Sequence, residues 1–294
     1  MRGSRVRAAW SLAVLGIALA GCARKPGVPL EMLTWDRDFP PHRVAGNVYF
    51  VGRKNVGIFL IATPAGHILL DSGFEASVQA VQASVQQLGF RFQDIKYLLA
   101  SHAHVDHVQG HARVRQLTGA RVLASEQDAP YIRSGGQDDP AFGNRYRWTP
   151  CPVDQIVRDG DTVSLGGTVM TARLTPGHTP GATTWTMQVD DGGKRLQVVF
   201  FPSANVLPGT RLVGNTVYPQ IAADFDRSFA TWKALSCDVF LGAHGVFYGL
   251  DDKYPRLAQA GDHGGVNPFI DPEGFRKTVA DMEKTFRARL ESQQ

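Results

Sequence analysis

The stretch Ser101-His102-Ala103-His104-Val105-Asp106-His107 constrains this chain more than any other. Four metal-capable side chains fall within six residues, directly behind the apolar run Ile95-Lys96-Tyr97-Leu98-Leu99-Ala100. That run reads as a buried strand, which places the cluster on the loop where the strand ends. On a loop, His102, His104 and His107 converge on a point that a regular helix or strand would not let them share. Imidazole and carboxylate are donors that zinc takes, and no thiol stands among them to suggest a closed structural site.

The same pattern of apolar strand and glycine-flanked histidine recurs twice, in Leu174-Thr175-Pro176-Gly177-His178-Thr179-Pro180-Gly181 and in Val239-Phe240-Leu241-Gly242-Ala243-His244-Gly245. Glycine allows a sharp exit from a strand and a close approach of backbone to whatever the imidazole binds. With His178 and His244 the set becomes five histidines and one aspartate. Six donors are too many for one tetrahedral ion and suit two open sites of three donors each. His111, on the helix that follows the first cluster, reads as a surface or supporting residue rather than a ligand. His42, His67 and His263 have no supporting spacing. Asp71, at a strand end before Ser72-Gly73, is placed to accept from a ligand histidine.

Strands and helices alternate through the chain. Asn47–Gly52, Val56–Thr63 and His67–Asp71 read as a meander, and Val78, Val81, Val85 and Leu88 set a helical period within Ala76–Leu88. After the strand Ile95–Ala100 and the metal loop come a helix over Val108–Leu117, a strand Ala120–Ala124, a short helix Gln127–Gly135 and a long loop Gln137–Pro152. The second half supplies strands at Gln155–Val157, Asp161–Val163, Val169–Leu174, Ala182–Val189, Leu196–Phe201 and Cys237–Leu241, with helices over Phe225–Leu235 and Pro272–Leu290. Two sheets packed face to face with helices outside would bury these strands and bring their loops to one edge. The fold class is therefore α/β.

The N-terminus reads as an export signal over residues 1–21: Arg2, Arg5 and Arg7 form a basic start, and Ala8–Ala20 is an apolar run too short to span a bilayer. It ends in Leu19-Ala20-Gly21-Cys22, which resembles the lipobox of bacterial lipoproteins and implies a lipid anchor on Cys22. Residues 22–40 read as a tether and 41–294 as the functional domain. Removing the signal takes Lys+Arg from 31 to 28 against 27 acids, so the net charge falls from +4 to +1. The basic balance thus belongs to the signal, and nucleic acid is not an expected partner. The remaining thiols, Cys151 and Cys237, leave a disulfide open.

Taken in order, His-x-His-x-Asp-His, Pro-Gly-His-Thr-Pro-Gly and Gly-Ala-His resemble the metallo-β-lactamase superfamily over nearly the whole mature sequence. The resemblance implies a four-layer αβ/βα sandwich with two Zn²⁺ at the edge between its halves. His102, His104 and His178 would hold one ion; Asp106, His107 and His244 would hold the other. Class B enzymes of the third subclass are the most similar, because the other two subclasses place a cysteine among the second-site ligands. Here that region reads Phe201-Pro202-Ser203-Ala204-Asn205, and the aspartate that glyoxalase-type relatives use to bridge both metals is also missing. Gly214-Asn215, Tyr218-Pro219 and the run Asp224 to Phe229 look like that subclass too.

What the resemblance implies is zinc-dependent hydrolysis of the β-lactam amide bond, hence antibiotic resistance, with Asp106 as the catalytic residue orienting a hydroxide activated at the metals. Ser203 and Asn205 would bind the substrate carboxylate. Gln109, where relatives commonly carry glycine, would narrow the substrate site or add a hydrogen bond to it. The expected partner is a small β-lactam, the expected state a monomer, and the expected address the periplasm-facing side of the outer membrane or, alternatively, the soluble periplasm. In some relatives the position of Cys237 is disulfide-bonded to a cysteine that this chain lacks, which implies a buried thiol. The alternative activity is a related dizinc hydrolase of a lactone, thioester or phosphoester.

Overall fold

The computed structural model describes residues 27–263 and 266–294, with the backbone alone for 258 and 260–263. The export signal, Cys22, the start of the tether and the His263 side chain lie outside the described residues. Two sheets form the centre. The first begins as an antiparallel meander of β1 (His42–Ala45), β2 (Val48–Phe50), β3 (Phe59–Thr63) and β4 (Gly66–Leu70). It continues in parallel through β5 (Ile95–Leu99), β6 (Arg121–Ser125) and β7 (Gln155–Val157). Helices α1 (Val78–Gln87), α2 (Val105–Val108), α3 (His111–Thr118) and α4 (Ala129–Ser134) lie in the connections between its parallel strands.

Side chains alternate across this sheet, as strand geometry requires. Phe59, Ile61, Ile68, Leu70, Leu99 and Leu123 enter the core between the sheets, whereas Leu60, Leu69, Leu98 and Val122 pack outward with Val78, Val81 and Val85 of α1. Burial on both faces explains why β3 to β6 read as continuous apolar runs rather than alternating ones.

The second sheet is antiparallel through β8 (Thr162–Leu165), β9 (Thr168–Leu174), β10 (Thr183–Asp191) and β11 (Lys194–Phe201), and β12 (Val239–Gly242) joins β11 in parallel. Its other face carries α5 (Ile221–Ala234) and α7 (Pro272–Glu291), packed through Phe201 on Trp232, Phe240 on Phe275 and Phe229 on Phe286. The result is the expected four-layer αβ/βα sandwich. The Trp185 indole donates to the Ala100 carbonyl (3.0 Å) and Thr183 N–H to the Ser101 carbonyl (2.8 Å), tying the sheets together at the end of β5.

Several expectations need correction. Residues 22–40 are not a free tether throughout, because Met32 is buried and Arg53 binds both Asp36 (3.0 Å) and Asp38 (2.6 Å). Strand β1 follows Pro40-Pro41 and is too short to show a period, and α6 (Leu250–His263) holds Pro255 inside it, which hid its helical character. The helix expected over Val108–Leu117 is broken at Gly110, whose N–H turns to the Gly73 carbonyl (2.9 Å). A Cβ there would lie 2.9 Å from the Ser72 carbonyl oxygen, so only glycine permits the approach. Cys237 is a buried, unbridged thiol, as expected, and so is Cys151; burial pushes them up to about 12 and about 11.

His42 stacks on Phe50 (5.2 Å) and Phe269 (5.6 Å) and is lowered to about 4 by burial. An unfolded chain takes up that proton near 6.5 and the folded chain only near 4, so acidification through this window favours unfolding. His42→Phe should remove the effect: the stability difference between variant and wild type should shift by about 3 kcal/mol between pH 7 and pH 4 in urea unfolding.

Candidate metal centre

The loops behind β4, β5, β9 and β12 meet at one edge of the sandwich. There the structure brings together all six residues named as ligands. Donor atoms of His102, His104 and His178 lie within 4.8 Å of one another, as do those of Asp106, His107 and His244, and the two groups share no residue. They adjoin through His102 and His107, whose ring centroids are 4.1 Å apart.

Four of the five rings are oriented from behind. His178 Nδ1 donates to the Asn205 carbonyl and His244 Nδ1 to the Asn55 carbonyl, each at 2.8 Å, so both Nε2 atoms carry bare lone pairs. His107 Nδ1 lies 3.2 Å from Asp71 Oδ2 and His102 Nδ1 3.0 Å from Ser101 Oγ. In front, His178 Nε2 faces His104 Nδ1 at 3.1 Å, and His107 Nε2 faces His244 Nε2 at 3.4 Å. Asp106 Oδ2 is 3.1 Å from His107 Nε2 and 3.6 Å from His244 Nε2. His102 Nε2 is buried with no hydrogen-bond partner.

The Nε2 lone pairs of His178 and His244 and the unpartnered His102 Nε2 meet in a largely buried site, which suits a cation. Burial, with the neighbouring imidazoles, holds His102 and His178 far below the usual histidine range, and burial lowers His104 to about 3 and also lowers His244. These four are neutral donors at neutral pH. Burial opposes a charge on His107 as well, but the carboxylates of Asp106 and Asp71 outweigh it and raise this ring to about 10. Asp106 is held well below the carboxylate range, chiefly by His107 against the effect of burial. A proton collected at His107 marks where positive charge is wanted. The nitrogen and oxygen donors, the orphaned His102 Nε2 and the open faces of both groups all fit zinc.

Asp71 accepts from Ser101 N–H (2.7 Å) and Ser101 Oγ (2.6 Å) besides facing His107, the supporting contact its position implied. It adopts φ +63°, which aspartate tolerates better than most residues. His111 is fully buried rather than at the surface, with Nδ1 2.8 Å from Ser72 Oγ.

Two substrate-site expectations are corrected. Gln109 is 2% exposed and its Oε1 accepts from Glu75 N–H (3.1 Å), so the side chain braces the loop behind β4 rather than narrowing the site. Ser203 is fully buried and its Oγ accepts from Asn205 N–H (3.1 Å), a turn that leaves the hydroxyl no access to substrate. Asn205 is exposed and lines a cavity of about 370 Å³ beside His178. Sequence reasoning missed Asn55 and Trp35, which back His244, and Phe142, which sits edge-on to His104 at 5.0 Å. None carries a local signal, since each reaches the site from a distant loop.

The sequence profile of the metallo-β-lactamase superfamily matches residues 51–191. The FEZ-1 metallo-β-lactamase of Legionella gormanii is similar at 43% identity and a TM-score of 0.85, over 88% of this chain and 98% of that one. The chain belongs to the metallo-β-lactamase superfamily. BJP-1, a subclass B3 metallo-β-lactamase of Bradyrhizobium japonicum, is similar to this superfamily member at 35% identity and a TM-score of 0.83, over 90% and 98% of the two chains. A hydroxyacylglutathione hydrolase of Methylobacterium nodulans is 35% identical over 99 residues, which are 34% of this chain and 31% of the hydrolase. The chain thus spans about a third of the length of the curated relatives it matches.

Asp71→Asn in this superfamily member would set an amide NH₂ against a donor of Ser101. Stability of the metal-free protein should fall by about 2 kcal/mol in urea unfolding, the scale of a hydrogen bond to a buried charge.

Proposed function

We propose that the chain hydrolyses the amide bond of β-lactams with two zinc ions, one held by His102, His104 and His178 and the other by Asp106, His107 and His244. The observation that carries this reading is the extent of similarity. Two β-lactamases match over nearly their whole length, whereas the hydroxyacylglutathione hydrolase matches over a third of its own. The missing bridging aspartate, which glyoxalase-type relatives carry near the place of Ser203, supports it further.

Zinc held there would supply Lewis acidity, polarising the amide carbonyl and bringing the pKa of a water to about 7. The chain's own residues do the rest. The imidazoles of His102, His104, His178 and His244 stay neutral and offer lone pairs in fixed directions. Asp106 turns Oδ2 toward His107 and His244 and leaves Oδ1 to orient the attacking water and accept its hydrogen bond. Asn205 and Arg211, on the wall of the cavity beside His178, present N–H donors to the substrate carboxylate, and Leu207 and Tyr218 give the ring an apolar wall.

Nitrocefin turnover should stop on chelation and return with zinc, and metal analysis should find two ions per chain. Asp106→Asn should lower kcat by about a hundredfold or more, the span of a lost proton acceptor. A glutathione thioester cleaved faster than nitrocefin would replace this reading with thioester hydrolysis, the activity class favoured by the shorter matches.

We further propose, from residues 1–22 alone, export across the inner membrane and a lipid anchor on Cys22. Lipid chains burying dozens of methylenes at about 0.8 kcal/mol each would hold the protein to a membrane. Cys22→Ser should move activity to the soluble fraction or leave the precursor uncut; a processed mutant still in the membrane fraction would contradict the anchor.

A further inference from the structure

Asp128 follows β6, far in sequence from every proposed ligand, and is 1% exposed. It stands at the N-cap of α4, yet its carboxylate does not cap that helix. Oδ2 accepts from Ala103 N–H (2.8 Å) and from Thr179 Oγ1 (2.7 Å), and Oδ1 accepts from Gly181 N–H (2.8 Å). Ala103 lies between His102 and His104, and Thr179 directly follows His178. One carboxylate therefore joins the loop of the first sheet to the loop of the second, beside all three residues of one donor group.

The approach is close enough to dictate sequence. A Cβ on Gly181 would lie 2.6 Å from Asp128 N and 2.0 Å from Ser125 Oγ, so only glycine fits. Ser125 Oγ in turn donates to the Gly181 carbonyl (2.7 Å), closing the corner around Asp128. Thr183 N–H donates to the Ser101 carbonyl (2.8 Å) and joins the same two loops on the other side of His102.

We propose that Asp128 is a positioning residue for metal binding: it fixes the His178 loop against the His102–His104 loop, so that three imidazoles from two sheets meet at one distance. This rests on the zinc reading above. Three donors converge on the carboxylate, and an asparagine can accept from only one of its two sides. Its NH₂ would face either Gly181 N–H or the Ala103 and Thr179 donors, and that loop would move.

The test is zinc affinity by chelator competition in a His244→Ala background, which leaves His102, His104 and His178 intact, and in a His178→Ala background, which leaves the other group. Asp128→Asn should weaken zinc binding about tenfold to a hundredfold in the first background, the cost of losing a group that orients ligands from behind. In the second background the change should stay within about threefold. Cobalt(II) in the first background should show an altered absorption spectrum. Thr179→Val removes one of the three donors and should give a smaller loss of the same kind, which decides the matter should Asp128→Asn fail to fold. Asp154→Asn, at the other end of β6, serves as the control and should leave both affinities unchanged. Equal losses in both backgrounds, or wild-type affinity in both Asp128→Asn and Thr179→Val, would overturn the positioning role while leaving the zinc reading intact. A wild-type chain that takes up no zinc would overturn the zinc reading and this inference together.

Discussion

Bare lone pairs at the sandwich edge are the constraint on which the rest of the structure depends. His178 Nε2 faces His104 Nδ1 at 3.1 Å and His107 Nε2 faces His244 Nε2 at 3.4 Å. Crowding five imidazoles this closely is unfavourable by itself, because polar groups taken out of water give up hydrogen bonds to solvent. It persists because four of the rings are held from behind: His102 by the neighbouring Ser101, and His107, His178 and His244 from three other loops, by Asp71 and by the carbonyls of Asn205 and Asn55. The energy that offsets it comes from the cores on both faces of the first sheet.

That division of labour explains why the sandwich suits the site. Strands β4 and β5 are buried on both faces, so their ends cannot drift, and the loops that leave them start from fixed points. Trp185 and Thr183 lock the second sheet to the same corner, which brings His178 within reach of residues contributed by the first. At Gly110 and Gly181 glycine lets backbone touch backbone or carboxylate. Rigidity here is a matter of where hydrogen bonds end: Asp71 collects three donors from the 101–107 loop, and Asp128 collects three from two loops that would otherwise be independent.

The six clustered donors were legible in sequence because each follows an apolar strand at once, and strand ends are among the few positions a linear pattern locates well. The two-sheet architecture was legible for the same reason. Ser203 and Gln109 were misread, because the resemblance locates a residue but does not say where its side chain goes. Ser203 spends its hydroxyl on Asn205 N–H, and Gln109 spends its carbonyl on Glu75 N–H. Asp128 escaped notice for the opposite reason: an aspartate before Ala-Pro reads as a helix cap, and nothing local reveals that its carboxylate turns away from the helix. Residues whose importance lies in long-range hydrogen bonds leave no period to read.

The Asn205 carbonyl makes the substrate cavity and the proposed metal ligands one mechanical unit. It accepts from His178 Nδ1, while the residue itself lines the wall of the cavity. A substitution in the 205–218 loop that shifts this carbonyl would rotate the imidazole and change the direction in which Nε2 offers its lone pair. Substrate preference and metal affinity are therefore not independent properties on this side of the site, whereas on the other side His244 is held by Asn55 and is insulated from that loop. In the proposed reading, the metals supply a chemistry that would act on amides, thioesters or lactones alike. Discrimination among them must then come from a wall that also steadies a ligand, which limits how far the wall can vary before the site loses its metal.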